Sequence, residues 1–189
     1  MRLNKIFKNT LLVISAGIIL TACATKKEVA VEAPKKEETK KEETKEETKQ
    51  EEVTKIEKIA SQMQGDVYVG TDSVKYLADG VADRVFFATN ESILTTASRE
   101  TLRAQAAWLR ENSNITVVLE GHADERGTRE YNLALGERRA NAAKDYLMTY
   151  GVSSDRITVI SYGKERPVDS GSNPLAWSKN RRSVTVKAN

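Results

Sequence analysis

From Asp83 onward, apolar and polar positions repeat with two alternating periods. A period of two runs through Arg84–Ala88, with Val85 and Phe87 on one face, and through Ile115–Glu120, with Ile115, Val117 and Leu119 against the other residues. Such alternation predicts strands with one buried face. Ile157–Ser161 and Ser183–Lys187 are further short strands by the same reading. A helical period appears between them. Thr95 can cap a helix to about Glu111 that buries Leu102, Ala106 and Leu109. The next helix begins near Thr128, or only at Leu135, and runs to Tyr150, where Gly151 stands at a left-handed stop. Pro174–Lys179 suits one helical turn. Strands alternating with helices predict an α/β fold, more narrowly an α+β sandwich of βαβαβ type with a final strand and both helices on one face of a small mixed sheet.

Upstream of Asp83 the pattern weakens. Val67–Val69 reads as a short strand and Ser73–Leu77 as a helical turn. Lys26–Lys55 has no core-forming pattern and no aromatic residue; EETK recurs at Glu37–Lys40, Glu42–Lys45 and Glu46–Lys49. A segment so poor in apolar surface does not offset its ordering entropy, although Glu-to-Lys pairs at helical spacing support transient helix. It reads as a tether. Taken from Lys26 to Thr71 as a coil, it spans about 40 Å; fully extended, it reaches about 150 Å. At the start, Arg2, Lys5 and Lys8 precede the apolar run Leu11–Leu20, which is too short for a bilayer span, and the small residues Thr21 and Ala22 precede Cys23. The expected organisation is a signal peptide over 1–22, a lipidated N-terminus and Lys/Glu-rich tether over 23–71, and one globular domain over 72–189. Cys23 is the sole cysteine and stands at the lipidation position of a lipobox, so no disulfide is expected.

Removing the leader changes the charge. The chain has 30 Lys+Arg and 27 Asp+Glu; without Arg2, Lys5 and Lys8 the bases match the 27 acids. A neutral mature chain gives no electrostatic ground for nucleic-acid binding.

The candidate chemistry lies in Gly121–Ala140, GHADERGTREYNLALGERRA. Asp124 follows the strand end directly. Arg139 shares the apolar helix stripe with Leu135, Ala142, Ala143, Tyr146 and Leu147. A buried guanidinium needs a partner. One reading has Arg139 presenting its planar fork to a ligand carboxylate; the other has it in a structural salt bridge to Asp124 or Glu120. Opposed anion and cation suit a ligand that carries both an ammonium and a carboxylate. His122 is the only histidine and reads as structural, and Asp124-Glu125 alone lacks a zinc ligand set, so neither metal nor cofactor is expected. No serine is marked as a nucleophile. Trp108 and Trp177 read as packing residues, and Asn180-Arg181-Arg182 either touches a ligand or closes the sheet edge.

DRVFF at Asp83–Phe87, the Gly121–Ala140 stretch, SYGKERP at Ser161–Pro167 and WSKNRRSV at Trp177–Val184 together resemble the peptidoglycan-associated lipoprotein (Pal) family, within the OmpA-like C-terminal domains. The lipobox and the charged tether agree. The resemblance implies noncovalent binding of the diaminopimelate of the peptidoglycan stem peptide, with Asp124 taking the ammonium, Arg139 the carboxylate, and Leu135 flooring the pocket. Arg126 and the turn Thr89, Asn90 and Glu91 match peptide-contacting positions, partly through backbone; many relatives have Asp in place of Asn90. It also implies a lipid anchor on Cys23 in the outer membrane, facing the periplasm, and TolB as a partner in a Tol–Pal system that holds the outer membrane to the wall during division. No enzyme activity is expected. Two alternatives are a structural partner of TolB with little wall binding, and a wall hydrolase built on His122, Asp124 and Glu125.

Overall fold

The computed structural model describes residues 50–188. The expected leader, Cys23 and the EETK repeats lie outside the described residues. The first described residues, 50–61, form a solvent-exposed helix (α1). Two small antiparallel hairpins follow: β1 (Met63–Gln64) with β2 (Val67–Tyr68), and β3 (Tyr76–Ala78) with β4 (Val81–Ala82).

The domain proper is a four-stranded sheet in the order β5-β8-β6-β7, where β5 is Arg84–Phe86, β6 Val117–His122, β7 Ile157–Gly163 and β8 Arg182–Lys187. β6 and β7 run parallel, joined by a helical crossover, while β8 is antiparallel to both β5 and β6. Helices α2 (Thr96–Glu111) and α3 (Arg129–Thr149) pack on one face, and the short α4 (Pro174–Asn180) leads into β8. Val85, Phe87, Leu102, Leu109, Val117, Leu119 and Leu147 meet between sheet and helices in the buried core. Small side chains on α3, Ala140 and Ala143, let that helix settle closely on the strands.

Local chemistry sets the element ends as expected. The Thr95 hydroxyl accepts the Ser98 N–H at the start of α2, and the Thr128 hydroxyl accepts the Tyr131 N–H at the start of α3. Helix α3 therefore takes the earlier of its two expected starts. Gly151, just past its end, has φ +86°.

Two expectations are corrected. Ser73–Leu77 is not helical: Leu77 is buried within strand β3, and Asp79-Gly80, with Gly80 at φ +72°, makes the two-residue hairpin turn. Order also begins ahead of residue 72. Over 50–71 the tether reading gives way to α1 and the first hairpin, because Tyr68 is buried and its ring meets Phe86 edge-on at 4.7 Å between centroids.

Candidate functional site

The site is assembled where β6 and α3 cross. Gly121 and Gly136 face each other there, and a Cβ on Gly121 would fall inside the carbonyl group of Gly136. Only two glycines allow that approach. Three residues beyond each glycine stand Asp124 and Arg139, so the crossing sets where both charges lie.

Arg139 is fully buried. Its Nε donates to the Glu91 carbonyl at 2.8 Å, Nη1 to that of His122 at 2.9 Å and Nη2 to that of Ala88 at 2.9 Å. Neither expectation for it is met in detail: it presents no open fork, and among the described residues it has no carboxylate in ion-pair contact. Its charge is shared among neutral carbonyls, with the Phe87 ring 5.4 Å away. Burial and then the nearby Arg181 lower its pKa to about 10, against the pull of Asp124; it is a cation at neutral pH. By gripping Ala88 and Glu91, it fixes the turn between them. Asn90 in that turn has φ +57°, a left-handed conformation that asparagine tolerates better than most residues. The Asn90 side chain is exposed, as is Glu91.

Asp124 is buried but not sealed. Its Oδ1 accepts the backbone N–H and Nε–H of Arg126, both at 3.1 Å; its Oδ2 accepts Arg126 Nη2 at 2.7 Å and Arg181 Nη1 at 3.2 Å. Burial works to raise its pKa, but the Arg126 and Arg181 bonds prevail and hold the carboxyl below its ordinary value. The Arg126 side chain is 42% exposed, so this is the side from which Asp124 can be approached. Arg126 also reaches the Thr89 hydroxyl at 3.4 Å and lies over the Trp177 ring at 4.4 Å. Leu135, on the same helix as Arg139, is buried.

Asp124, Arg126, Thr89 and Arg139 are thus brought to one corner, together with the Asn90–Glu91 turn. Three contributors went unassigned from sequence alone. Arg181, left open between two roles, bridges the Phe87 carbonyl and Asp124. Trp177 does more than pack: its Nε1 donates to Glu125 at 2.8 Å, and Ser172 binds the same carboxylate, bracing the loop. Asp66 accepts the Thr89 N–H at 2.6 Å from 23 residues upstream, with no local pattern to mark it.

The hydrolase cluster does not assemble. Glu125 is held by Trp177 and Ser172, and Asp124 by arginines, whereas the His122 ring stacks on Tyr162 and lines a cavity of about 610 Å³ shared with Arg84, Glu120 and Arg182. Burial first, then Arg182, Arg84 and Arg166, lower the His122 pKa to about 3. Its Nε2 lies 3.5 Å from Glu120 Oε2, but a neutral imidazole makes no ion pair there. Among the described residues no three His, Cys, Asp or Glu side chains gather as a metal site.

The OmpA family model matches residues 86–181. A peptidoglycan-associated lipoprotein of Mesorhizobium japonicum is 54% identical over 106 residues, 56% of this chain and 63% of that protein. The protein of the same name from Pseudomonas aeruginosa is 50% identical over 97 residues, 51% of this chain and 57% of its own length. The chain therefore spans less than two thirds of these curated relatives. Among solved structures, the peptidoglycan-associated lipoprotein from Burkholderia pseudomallei aligns with a TM-score of 0.55 at 34% identity, over 56% of this chain and 90% of that one. The C-terminal domain of Helicobacter pylori MotB shares the fold, with a TM-score of 0.53 at 17% identity over 57% of this chain and 84% of that one.

Proposed function

The chain belongs to the OmpA family, and on that premise we propose that it is a non-enzymatic lipoprotein that binds peptidoglycan without a covalent bond, through the diaminopimelate of the stem peptide. The observation that carries this reading is the corner where Asp124, approachable through Arg126, stands near an Arg139 that among the described residues has no carboxylate in ion-pair contact. The relatives named above support it.

In this mechanism the ligand ammonium replaces Arg126 on Asp124 Oδ2, while Arg181 keeps that carboxylate ionised. The ligand carboxylate settles against the Thr89–Glu91 turn, where the Thr89 N–H, which carries the Asp66 carboxylate in this structure, receives it. Arg139 acts from behind: it holds the carbonyls of Ala88 and Glu91 and adds a positive field at short range. Asn90 contributes backbone conformation, so losing the charge that many relatives carry there leaves the turn intact. Leu135 forms the apolar floor. By the same proposal, Cys23 carries the acyl chains that hold the protein in the outer membrane on its periplasmic side, residues 24–49 act as spacer, and TolB is the protein partner in a Tol–Pal linkage between membrane and wall.

Calorimetric titration with a diaminopimelate-containing tripeptide tests the site. Asp124→Asn removes the counter-charge for the ammonium and is expected to weaken binding roughly 10- to 100-fold, as for a charged hydrogen bond. Arg139→Lys keeps the charge but cannot hold three carbonyls, and is expected to weaken it too. Circular dichroism separates loss of fold from loss of site. Wild-type affinity in both folded variants would overturn the assignment.

A further inference from the structure

The hairpin β1–β2 carries an acid at its tip, and that acid reaches the turn assigned above to the ligand carboxylate. The two turn residues are Gly65, at φ +63°, and Asp66. Asp66 Oδ2 accepts the Thr89 N–H at 2.6 Å and lies 3.9 Å from Arg181 Nη2. The backbone carbonyl of Asp66 also accepts from Arg181. One guanidinium therefore touches both Asp124 and Asp66, the proposed ammonium seat and the group lying on the proposed carboxylate seat.

We propose that the Asp66 side chain is an internal occupant of the carboxylate seat, and that the wall peptide binds by displacing it. This rests on the wall-binding reading. Carboxylate replaces carboxylate, so the Thr89 N–H and Arg181 keep an anionic partner in both states. The backbone need not move. Val69 N–H donates to the Gln62 carbonyl at 2.8 Å across the hairpin, and the buried Tyr68 pins it to the domain. The Asp66 side chain is 48% exposed, which leaves room to rotate outward. Burial works to raise the Asp66 pKa, but Thr89 and Arg181 prevail and hold it below its ordinary value, so the occupant is charged at neutral pH. An internal competitor lowers apparent affinity by the fraction of molecules whose seat is empty. It also gives the site selectivity: a ligand unable to supply the carboxylate gains nothing by evicting Asp66.

The experiment titrates the full-length lipidated chain in detergent with two tripeptides, one ending in diaminopimelate and one with lysine in its place. Wild type, Asp66→Ala and Asp66→Asn are compared. Asp66→Ala is expected to bind the diaminopimelate peptide about tenfold more tightly than wild type, with a smaller gain for Asp66→Asn, and the lysine peptide is expected to show no such gain. Adding Asp124→Asn to Asp66→Ala is expected to remove most of the binding. Wild-type binding with unchanged or weaker binding in both Asp66 variants would show that Asp66 only braces the turn. Binding of the diaminopimelate peptide by none of the proteins would overturn the wall-binding reading, and the competitor with it.

Discussion

A histidine enclosed by guanidinium groups is a liability in acid. His122 is 1% exposed, with neither ring nitrogen hydrogen-bonded among the described residues, and its pKa is lowered to about 3 by burial and by Arg182, Arg84 and Arg166. In the unfolded chain the same ring titrates near its ordinary value of 6.5. Between those two values the unfolded state binds the proton and the folded state does not, so stability is complete above pH 6.5 and falls as pH drops toward 3. The slope from one such group is at most about 1.4 kcal/mol per pH unit. Asp66 and Asp124, whose pKa values are lowered from 3.8, add their own acid losses only below about pH 4. Glu125, held below its ordinary value of 4.5 by its bonds from Trp177 and Ser172, adds a loss that begins at about pH 5, so the window between about 5 and 6.5 belongs to His122. Urea unfolding at pH 7, 5.5 and 4.5 is expected to show a steady loss for wild type and a flatter profile for His122→Gln; parallel profiles would mean that the buried ring is not the source. Arg139 teaches a related lesson. Its spacing on the helix announced a buried cation, but its partners are three backbone carbonyls, two flanking the Ala88–Glu91 turn and one at the end of β6, which no side-chain pattern encodes.

Elements were legible wherever the signal was local. Thr95 and Thr128 cap their helices with their own hydroxyls, Gly151 adopts the left-handed stop, and alternation in Ile115–Glu120 places Val117 and Leu119 in the core. Illegible elements owe their form to distant partners. The end of Ser73–Leu77 enters strand β3 because Leu77 is buried and Asp83 closes the second hairpin, its N–H donating to the Lys75 carbonyl at 2.9 Å and its side chain accepting the Lys75 N–H at 3.1 Å. The contact that matters most for the site is likewise between elements: β6 and α3 touch through Gly121 and Gly136, and Gly136 lies close to Ser161 of β7 as well. Because a Cβ at Gly121 meets backbone, not a flexible side-chain end, relief requires the helix to lift off the sheet. Gly121→Ala is expected to cost about 3 kcal/mol, the upper part of the usual overpacking range, with a drop in Tm of several degrees by calorimetry. Diaminopimelate binding is expected to fall alongside it, since Arg139 rides on the displaced helix. An unchanged Tm would mean that the crossing accommodates a methyl group and does not set the spacing of the two charges.

For the molecule as a whole, the question is where the folded unit begins. Composition placed the boundary at residue 72 because the residues before it are rich in Lys and Glu, yet one aromatic side chain outweighs that trend. Tyr68 is 2% exposed, packs edge-on against Phe86 of β5, accepts Lys179 over its ring at 5.6 Å, and donates its hydroxyl to Asp72, which in turn binds Lys179 at 2.9 Å. The first hairpin is thereby stitched to both β5 and α4. Deleting a buried aromatic ring costs about 3–5 kcal/mol where the site cannot collapse. A chain beginning at residue 72 is therefore expected to unfold at a clearly lower urea midpoint than one beginning at residue 50, and Tyr68→Ala in the longer chain is expected to reproduce most of the loss. The same truncation removes Asp66 from the Thr89 N–H. Stability and affinity should then move in opposite directions, the shorter chain being weaker to urea but tighter for the diaminopimelate peptide. Equal midpoints for the two chains would put the first hairpin outside the cooperative unit and restore the boundary that composition suggests.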